Sequence, residues 1–158
     1  MQKITTFLWF DTQAEEAAKF YTSIFKDSKI NAVSHYGEGM PMPRGSVMTV
    51  GFTLAGQEFT ALNGGPQFKF TEAISLVVNC ETQQEIDYSW DKLTSNGGQP
   101  IECGWLKDRY GLRWQVVPTA LGQMMKAGDA TKTNRMMAAL VKMKKLDVAA
   151  LQKAYEGK

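Results

Sequence analysis

Apolar positions along this chain switch between a two-residue and a helical spacing, and the switches mark its elements. Residues 3–10, KITTFLWF, are rich in β-branched and aromatic side chains and predict a strand. Ala17, Phe20, Tyr21 and Ile24 then recur at helical intervals behind Thr12 and Glu15, which have the spacing of a capping box. Residues 29–36, 46–54 and 57–63 return to strand character, the last two joined by a tight turn at Ala55 and Gly56. The order is βαβββ.

The pattern begins again 70 residues later. Ala73–Asn79 reads as a strand, Thr82 and Glu85 as a second capping box, and Ile86, Trp90 and Leu93 as the apolar face of a second helix that stops at Gly97-Gly98. The closing stretch Cys103–Pro118, CGWLKDRYGLRWQVVP, has a charged turn at Asp108, Arg109, Tyr110 and Gly111. It ends in a strand where Leu112, Trp114 and Val116 alternate with Arg113, Gln115 and Val117. Only two later strands stand out, so one strand of this second unit is expected to be shortened or lost. Asp108 and Arg109 read as a solvated turn.

After Pro118 the strand signals end. Asp129 is placed to cap a helix running to about Met143, with Met136, Leu140 and Met143 on one face and Lys132, Arg135 and Lys142 on another. Asp147 is placed to cap a last helix, with Leu146 and Leu151 as a hydrophobic staple. The division expected is residues 1–66, 67–120 and a helical tail at 121–158, the tail packing on the body or on a second subunit.

Composition adds boundaries. A chain of 158 residues, 44% hydrophobic and 22% charged, is that of an ordinary globular domain, able to bury roughly 70% of its unfolded surface without staples. Its longest apolar run, Met136–Val141, is far short of the ~20 residues of a membrane-spanning helix. The N-terminal stretch has no secretory-signal pattern, so a cytoplasmic location is expected. Cys80 and Cys103 are the only cysteines and form no Cys-x-x-Cys pair, which removes a zinc knuckle or redox dithiol. Residues 121–158 hold 8 basic and 3 acidic side chains, while the body holds 10 and 13. With Tyr155 as its one aromatic residue, that tail reads as a solvated helical face, and neither nucleic acid nor membrane is expected as a partner.

The two βαβββ units, the segments AEEAAKFY, NGGPQFKFTEAISLVV and CGWLKDRYGLRWQVVP, and the helical tail together resemble the PhnB-like branch of the vicinal oxygen chelate superfamily. That superfamily includes glyoxalase I, bleomycin-resistance proteins and extradiol dioxygenases, and members of this branch are often named demethylubiquinone methyltransferase-like. The resemblance covers nearly the whole chain. It implies an α+β fold of two βαβββ modules forming a curved mixed sheet, a cavity on the concave side, and a homodimer.

In the metal-dependent relatives, four ligands come from the first and last strands of each module. Residues 3–10 and 73–78 contain no His, Asp, Glu or Cys, residues 57–63 offer only Glu58, and the last strand has Gln115 where the relatives commonly have Glu. A protein-bound divalent ion needs about three or four good ligands, so no metal is expected. His35, beside Tyr36-Gly37, is a single imidazole and reads as a loop residue. The methyltransferase name calls for a Gly-rich turn between strand and helix, and Gly37-Glu38-Gly39 runs into Pro41 and Pro43, so no nucleotide-type cofactor is expected. GEGMPMPRG reads as a mobile loop, either covering a pocket or lying on the surface.

The residues placed near a cavity are Trp9, Asn63, Trp105, Trp114 and Gln115, with Glu58 as the one available acid. Aromatic walls with a few amides suit a flat, largely neutral ligand, although strand aromatics also fill cores and Asn63 also suits the turn before Gly64-Gly65-Pro66. The leading expectation is a metal-free small-molecule binding protein. The alternatives are an enzyme of the same superfamily, through Glu58 with or without a metal, and an interaction module using the C-terminal helices.

Overall fold

A computed structural model describes residues 2–158. Two compact units divide the chain, Met1–Lys69 and Phe70–Lys158, and the helical tail belongs to the second.

The first unit runs β1 (Thr6–Phe10), α1 (Ala14–Ile24), β2 (Lys29–His35), β3 (Val47–Leu54) and β4 (Gln57–Asn63). The strands order as β1-β4-β3-β2, with β1 parallel to β4 and the other pairs antiparallel. Ala55 and Gly56 both have positive φ, 48° and 83°, the geometry that joins β3 to β4 through a two-residue hairpin turn. The strand period of two sends Leu8, Phe10, Val50, Phe52, Leu54, Phe59 and Ala61 to the α1 side, where all are buried. Ala14, Ala17, Ala18, Tyr21 and Ile24 meet them, and the small alanines let the helix sit close. Tyr21 stacks on Phe52 at 6.4 Å and Phe52 on Phe59 at 5.5 Å between ring centroids. Each large side chain so covered contributes about 1.5–3 kcal/mol of burial.

The second unit repeats the topology: β5 (Ser75–Cys80), α2 (Gln83–Leu93), β6 (Gln99–Pro100), β7 (Trp105–Lys107) and β8 (Arg113–Pro118), ordered β5-β8-β7-β6. All four strands are present; β6 is reduced to two residues and β7 to three. Trp114 and Val116 from β8, with Leu106 and Cys80, face Ile86, Trp90 and Leu93 of α2. Burial pushes the Cys80 thiol up to about 11, aided by the charge of Glu85.

The helix starts differ from the paired boxes expected. Thr82 Oγ1 accepts from the Glu85 N–H at 3.1 Å, while the Glu85 carboxylate accepts from the Glu81 N–H at 3.2 Å, one residue before the cap. Thr12 does not cap α1: the position before the helix is Gln13, which makes no side-chain cap bond. The Ala14 N–H is instead taken by Asn63 Oδ1 at 2.8 Å, from 49 residues along the chain.

Three helices follow β8: α3 (Thr119–Lys126), α4 (Ala130–Leu140) and α5 (Val148–Glu156). Asp129 accepts from the Lys132 N–H and Asp147 from the Ala150 N–H, each at 3.0 Å, so both expected caps form. The helix beginning at residue 130 ends at Leu140 rather than near Met143, and α3 lies in a stretch the apolar spacing did not assign. Met124, Met136, Leu140, Leu146 and Leu151 form a core of their own. The segment between α4 and α5 docks on the second sheet. The Cys103 and Gly104 N–H groups donate to the Met143 and Lys144 carbonyls at 2.8 Å, and Gly104 O accepts from the Val116 N–H. Gly104 has φ +84°, and a Cβ there would lie 3.0 Å from the Leu146 side chain, so the close approach requires glycine. Gln83 holds both sides of the α5 start, donating to Leu146 O at 3.0 Å and accepting from the Val148 N–H at 2.8 Å. Lys145 pairs with Asp87 at 2.9 Å.

Candidate functional site

The turn between β7 and β8 is built on Asp108, which is 1% exposed. Its Oδ1 accepts from the Tyr110 N–H at 2.8 Å and the Leu112 N–H at 3.0 Å, and its Oδ2 accepts from the Trp114 indole at 2.9 Å. The expected solvated turn is therefore corrected at this residue: the carboxylate replaces water with three N–H donors of its own hairpin, as a buried charge must. Arg109 is tied down as well, donating to Ser95 Oγ at 2.8 Å.

With the turn locked, the strand register follows. Trp114 and Val116 go to the α2 side, and Arg113, Gln115 and Val117 go to the opposite face. On that face Gln115 lies between Val77 of β5 and Trp105 of β7, and Arg113 lies between Ser75 and Lys107. Gln115 Nε2 donates to Ser75 Oγ at 2.9 Å. Arg113 Nη1 donates to Gly111 O at 2.6 Å and Phe70 O at 3.3 Å, and Nη2 pairs with Glu72 Oε1 at 2.7 Å. Main-chain hydrogen bonding at Glu72, then the hydrogen bond and charge of Arg113, with a smaller contribution from Lys107, hold that carboxyl below the ordinary range.

Of the residues placed near a cavity by sequence, the second unit thus brings Trp105 and Gln115 together. It puts Trp114 in the core against α2. In the first unit, Asn63 is 6% exposed and its amide works inside the module. Oδ1 caps α1, Nδ2 donates to Val47 O at 3.1 Å, and its main-chain carbonyl accepts from the Tyr36 hydroxyl. Trp9 donates its indole N–H to Gly65 O at 2.9 Å, meets Phe68 edge-on at 4.9 Å, and covers Gly64 so closely that a Cβ there would lie 2.4 Å from the ring. Glu58 is exposed, with its main-chain N–H and C=O held by the Gln2 amide at 3.0 Å.

The loop 36–46 has its own hydrogen bonds: Tyr36 and Gly45 or Ser46 exchange main-chain contacts, and Arg44 pairs with Glu38 at 2.8 Å. Gly37-Glu38-Gly39 leads into β3 and not into a helix, so the segment does not form the strand-turn-helix cradle of a nucleotide-type cofactor. His35 is exposed at the end of β2. A chelated ion fits no better. At the strand positions where the resemblance calls for ligands, the second unit offers a neutral amide, Gln115, bonded to a neutral hydroxyl, Ser75, fewer than the three or four good ligands a divalent ion needs. Among the described residues no group of three or more His, Cys, Asp or Glu side chains could hold a metal ion.

Sequence reasoning passed over Arg113, Ser75, Lys107 and Glu72. Arg113 was within reach, two residues before Gln115 on an alternating strand. Glu72 was not, because its partner lies 41 residues away.

Much of the tail's positive charge has intramolecular work. Arg135 donates to the Ala154 and Tyr155 carbonyls at the end of α5, Lys132 lies over the Tyr155 ring, and Lys145 and Lys158 pair with Asp87 and Glu156. No helix among the described residues is long and apolar enough to cross a membrane.

The family model described as 3-demethylubiquinone-9 3-methyltransferase matches residues 2–117. A PhnB protein from Bacillus cereus, which carries the same methyltransferase name, is 43% identical, with a TM-score of 0.68 over 75% of this chain and 100% of that one. Protein PA1353 from Pseudomonas aeruginosa shares the fold at 19% identity and a TM-score of 0.61, over 75% of this chain and 98% of its own. The fosfomycin resistance protein FosX from Listeria monocytogenes does so at 12% identity and a TM-score of 0.51, over 78% and 97%. None of the curated proteins matches the chain.

Proposed function

The chain belongs to the 3-demethylubiquinone-9 3-methyltransferase family, the PhnB-like branch of the vicinal oxygen chelate superfamily, and from that premise we propose that it binds a small molecule without a metal ion. The observation that carries this reading is Gln115. A side-chain amide stands on the last strand where the superfamily's chelating members commonly have a carboxylate, and it is oriented by Ser75 Oγ at 2.9 Å. An amide fixed in this way offers a ligand both an acceptor oxygen and a second N–H, and Trp105 in register beside it supplies an apolar wall. The methyltransferase name finds no support in a cofactor cradle, since the chain's Gly-rich turn opens no helix.

Native mass spectrometry of freshly purified protein tests the reading, followed by Gln115→Ala. The expected spectrum has two subunits, no stoichiometric divalent ion, and a small added mass that Gln115→Ala releases. A stoichiometric metal ion would overturn the reading and put a metal-dependent enzyme first. Retention of the small mass by Gln115→Ala would remove Gln115 from the site.

A further inference from the structure

The face of the second sheet turned away from α2 presents nine side chains in register: Ser75, Val77 and Asn79 on β5, Gln99 on β6, Trp105 and Lys107 on β7, and Arg113, Gln115 and Val117 on β8. None is acidic, and two are cations facing each other across one strand pair. A carboxylate meets them from outside the sheet, that of Glu72 in the segment leading to β5.

The two halves of that ion pair are unlike. The Arg113 side chain is 12% exposed and fixed by two main-chain carbonyls, so its fork has one orientation. The Glu72 side chain is 73% exposed and touches Arg113 through a single oxygen at 2.7 Å. Arg113 Nε is buried and without a hydrogen-bond partner among the described residues. A guanidinium held rigid, with a solvent-exposed carboxylate on its Nη2 prong, is a receptor occupied by a replaceable group. Glu72 reaches that prong from solvent, with most of its own hydration kept, so a competing carboxylate can displace it.

We propose that Arg113 and Lys107 bind the carboxylate of a flat aromatic or unsaturated acid, and that Glu72 occupies the same position when the ligand is absent. The inference rests on the binding reading above and names the ligand class of that site. The carboxylate takes the Arg113 Nη2 prong that Glu72 vacates, Lys107 adds charge from the neighbouring strand, and the ligand's plane runs along the strand toward Trp105 and Val77. Two residues of strand, from Arg113 to Gln115, cover about 6.5 Å, roughly the length of a one-ring acid from its carboxylate to its far edge. Gln115 then meets a polar substituent at the far end, and its bond to Ser75 fixes which way the amide faces.

The test uses benzoate as probe and benzamide as its uncharged match, titrated into the full chain and followed by NMR at the Trp105 indole N–H and the Gln115 amide. Benzoate is expected to shift both signals and benzamide to bind at least tenfold more weakly. Glu72→Gln, an exposed change that leaves the sheet intact, is expected to tighten benzoate about two- to sixfold by removing the internal competitor. Arg113→Gln is expected to abolish binding. Arg113→Lys keeps the charge without the fork, and is expected to fold and to bind several-fold more weakly. Equal binding of benzoate and benzamide would overturn the carboxylate assignment while leaving a neutral-ligand pocket at Gln115 standing. Weaker or unchanged binding in Glu72→Gln would overturn the stand-in role. If benzoate shifts nothing in either protein the assignment falls, and the mass of the co-purified ligand separately decides the binding reading.

Discussion

The two modules share one strand order and begin their helices in opposite ways. In the second, α2 is capped within four residues by Thr82, and Glu85 reaches back to Glu81. In the first, α1 is capped from 49 residues away by Asn63, which also ties down β3 through Val47 and the loop through Tyr36. The sheets differ in the complementary sense. The first has strands of five to eight residues, while the second has strands of two and three residues at one edge. There the tail supplies the missing partners, taking the Cys103 and Gly104 N–H groups on the Met143 and Lys144 carbonyls. One topology is thus completed by a long-range side chain in one copy and by an added segment of chain in the other.

This contrast can be broken at its strongest point first. Asn63→Ala leaves the Ala14 N–H and the Val47 carbonyl without their partners, and at about 1–3 kcal/mol for each buried group the loss should reach about 2–6 kcal/mol. Urea denaturation measures the loss, and hydrogen exchange should show α1 amides losing protection before those of α2. A cost no greater than that of Thr82→Ala, about 1 kcal/mol, would mean the two caps are equivalent after all.

The tail's contribution comes next. Leu151→Ala opens a cavity in the helical cluster and should cost about 2–5 kcal/mol, with faster exchange at the Cys103 and Gly104 amides. Unchanged exchange at those two positions would show that the second sheet stands without its tail.

The smallest effect is electrostatic. Hydrogen bonds from Lys145 and Gln83 hold the Asp87 carboxyl below its ordinary value, and the bond to Asp87 raises Lys145. The carboxylate's share of docking is complete above its ordinary titration and is lost as pH falls through the lowered value. The lysine's share is complete below its ordinary titration and is lost as pH rises through the raised one. Docking followed by tail exchange should therefore be level across neutral pH and weaken at both extremes. Lys145→Met should flatten the profile.

What the chain disclosed in advance was local. The Ala55-Gly56 turn, the caps at Asp129 and Asp147, and the Leu146–Leu151 staple each depend on residues a few positions apart, and each forms. The doubled βαβββ order was legible for the same reason. Thr12 and Glu15 had the same local spelling as Thr82 and Glu85 and failed, because Asn63 takes the site and spacing carries no news of a residue on β4. Asp108 misled in another way: an aspartate between a lysine and an arginine reads as solvent-facing, yet the Tyr110, Leu112 and Trp114 N–H groups that meet it lie within six residues. At the candidate site both Trp114 and Gln115 were expected near the cavity, but the alternation along β8 puts Trp114 in the core and Gln115 on the opposite face. The partnership of Arg113 with Glu72 depends on how the segment leading to β5 returns over the sheet.

The docking of residues 143 and 144 on Cys103 and Gly104 also bears on what can be inherited or transplanted as a piece. A boundary drawn after Pro118, where the last strand ends, removes the partners of two amides in the turn between β6 and β7 and uncovers the Leu146 seat. The second unit as it stands in this chain is residues 70–158, nearly a third longer than the first, so here the tail travels with the sheet whose turn it covers.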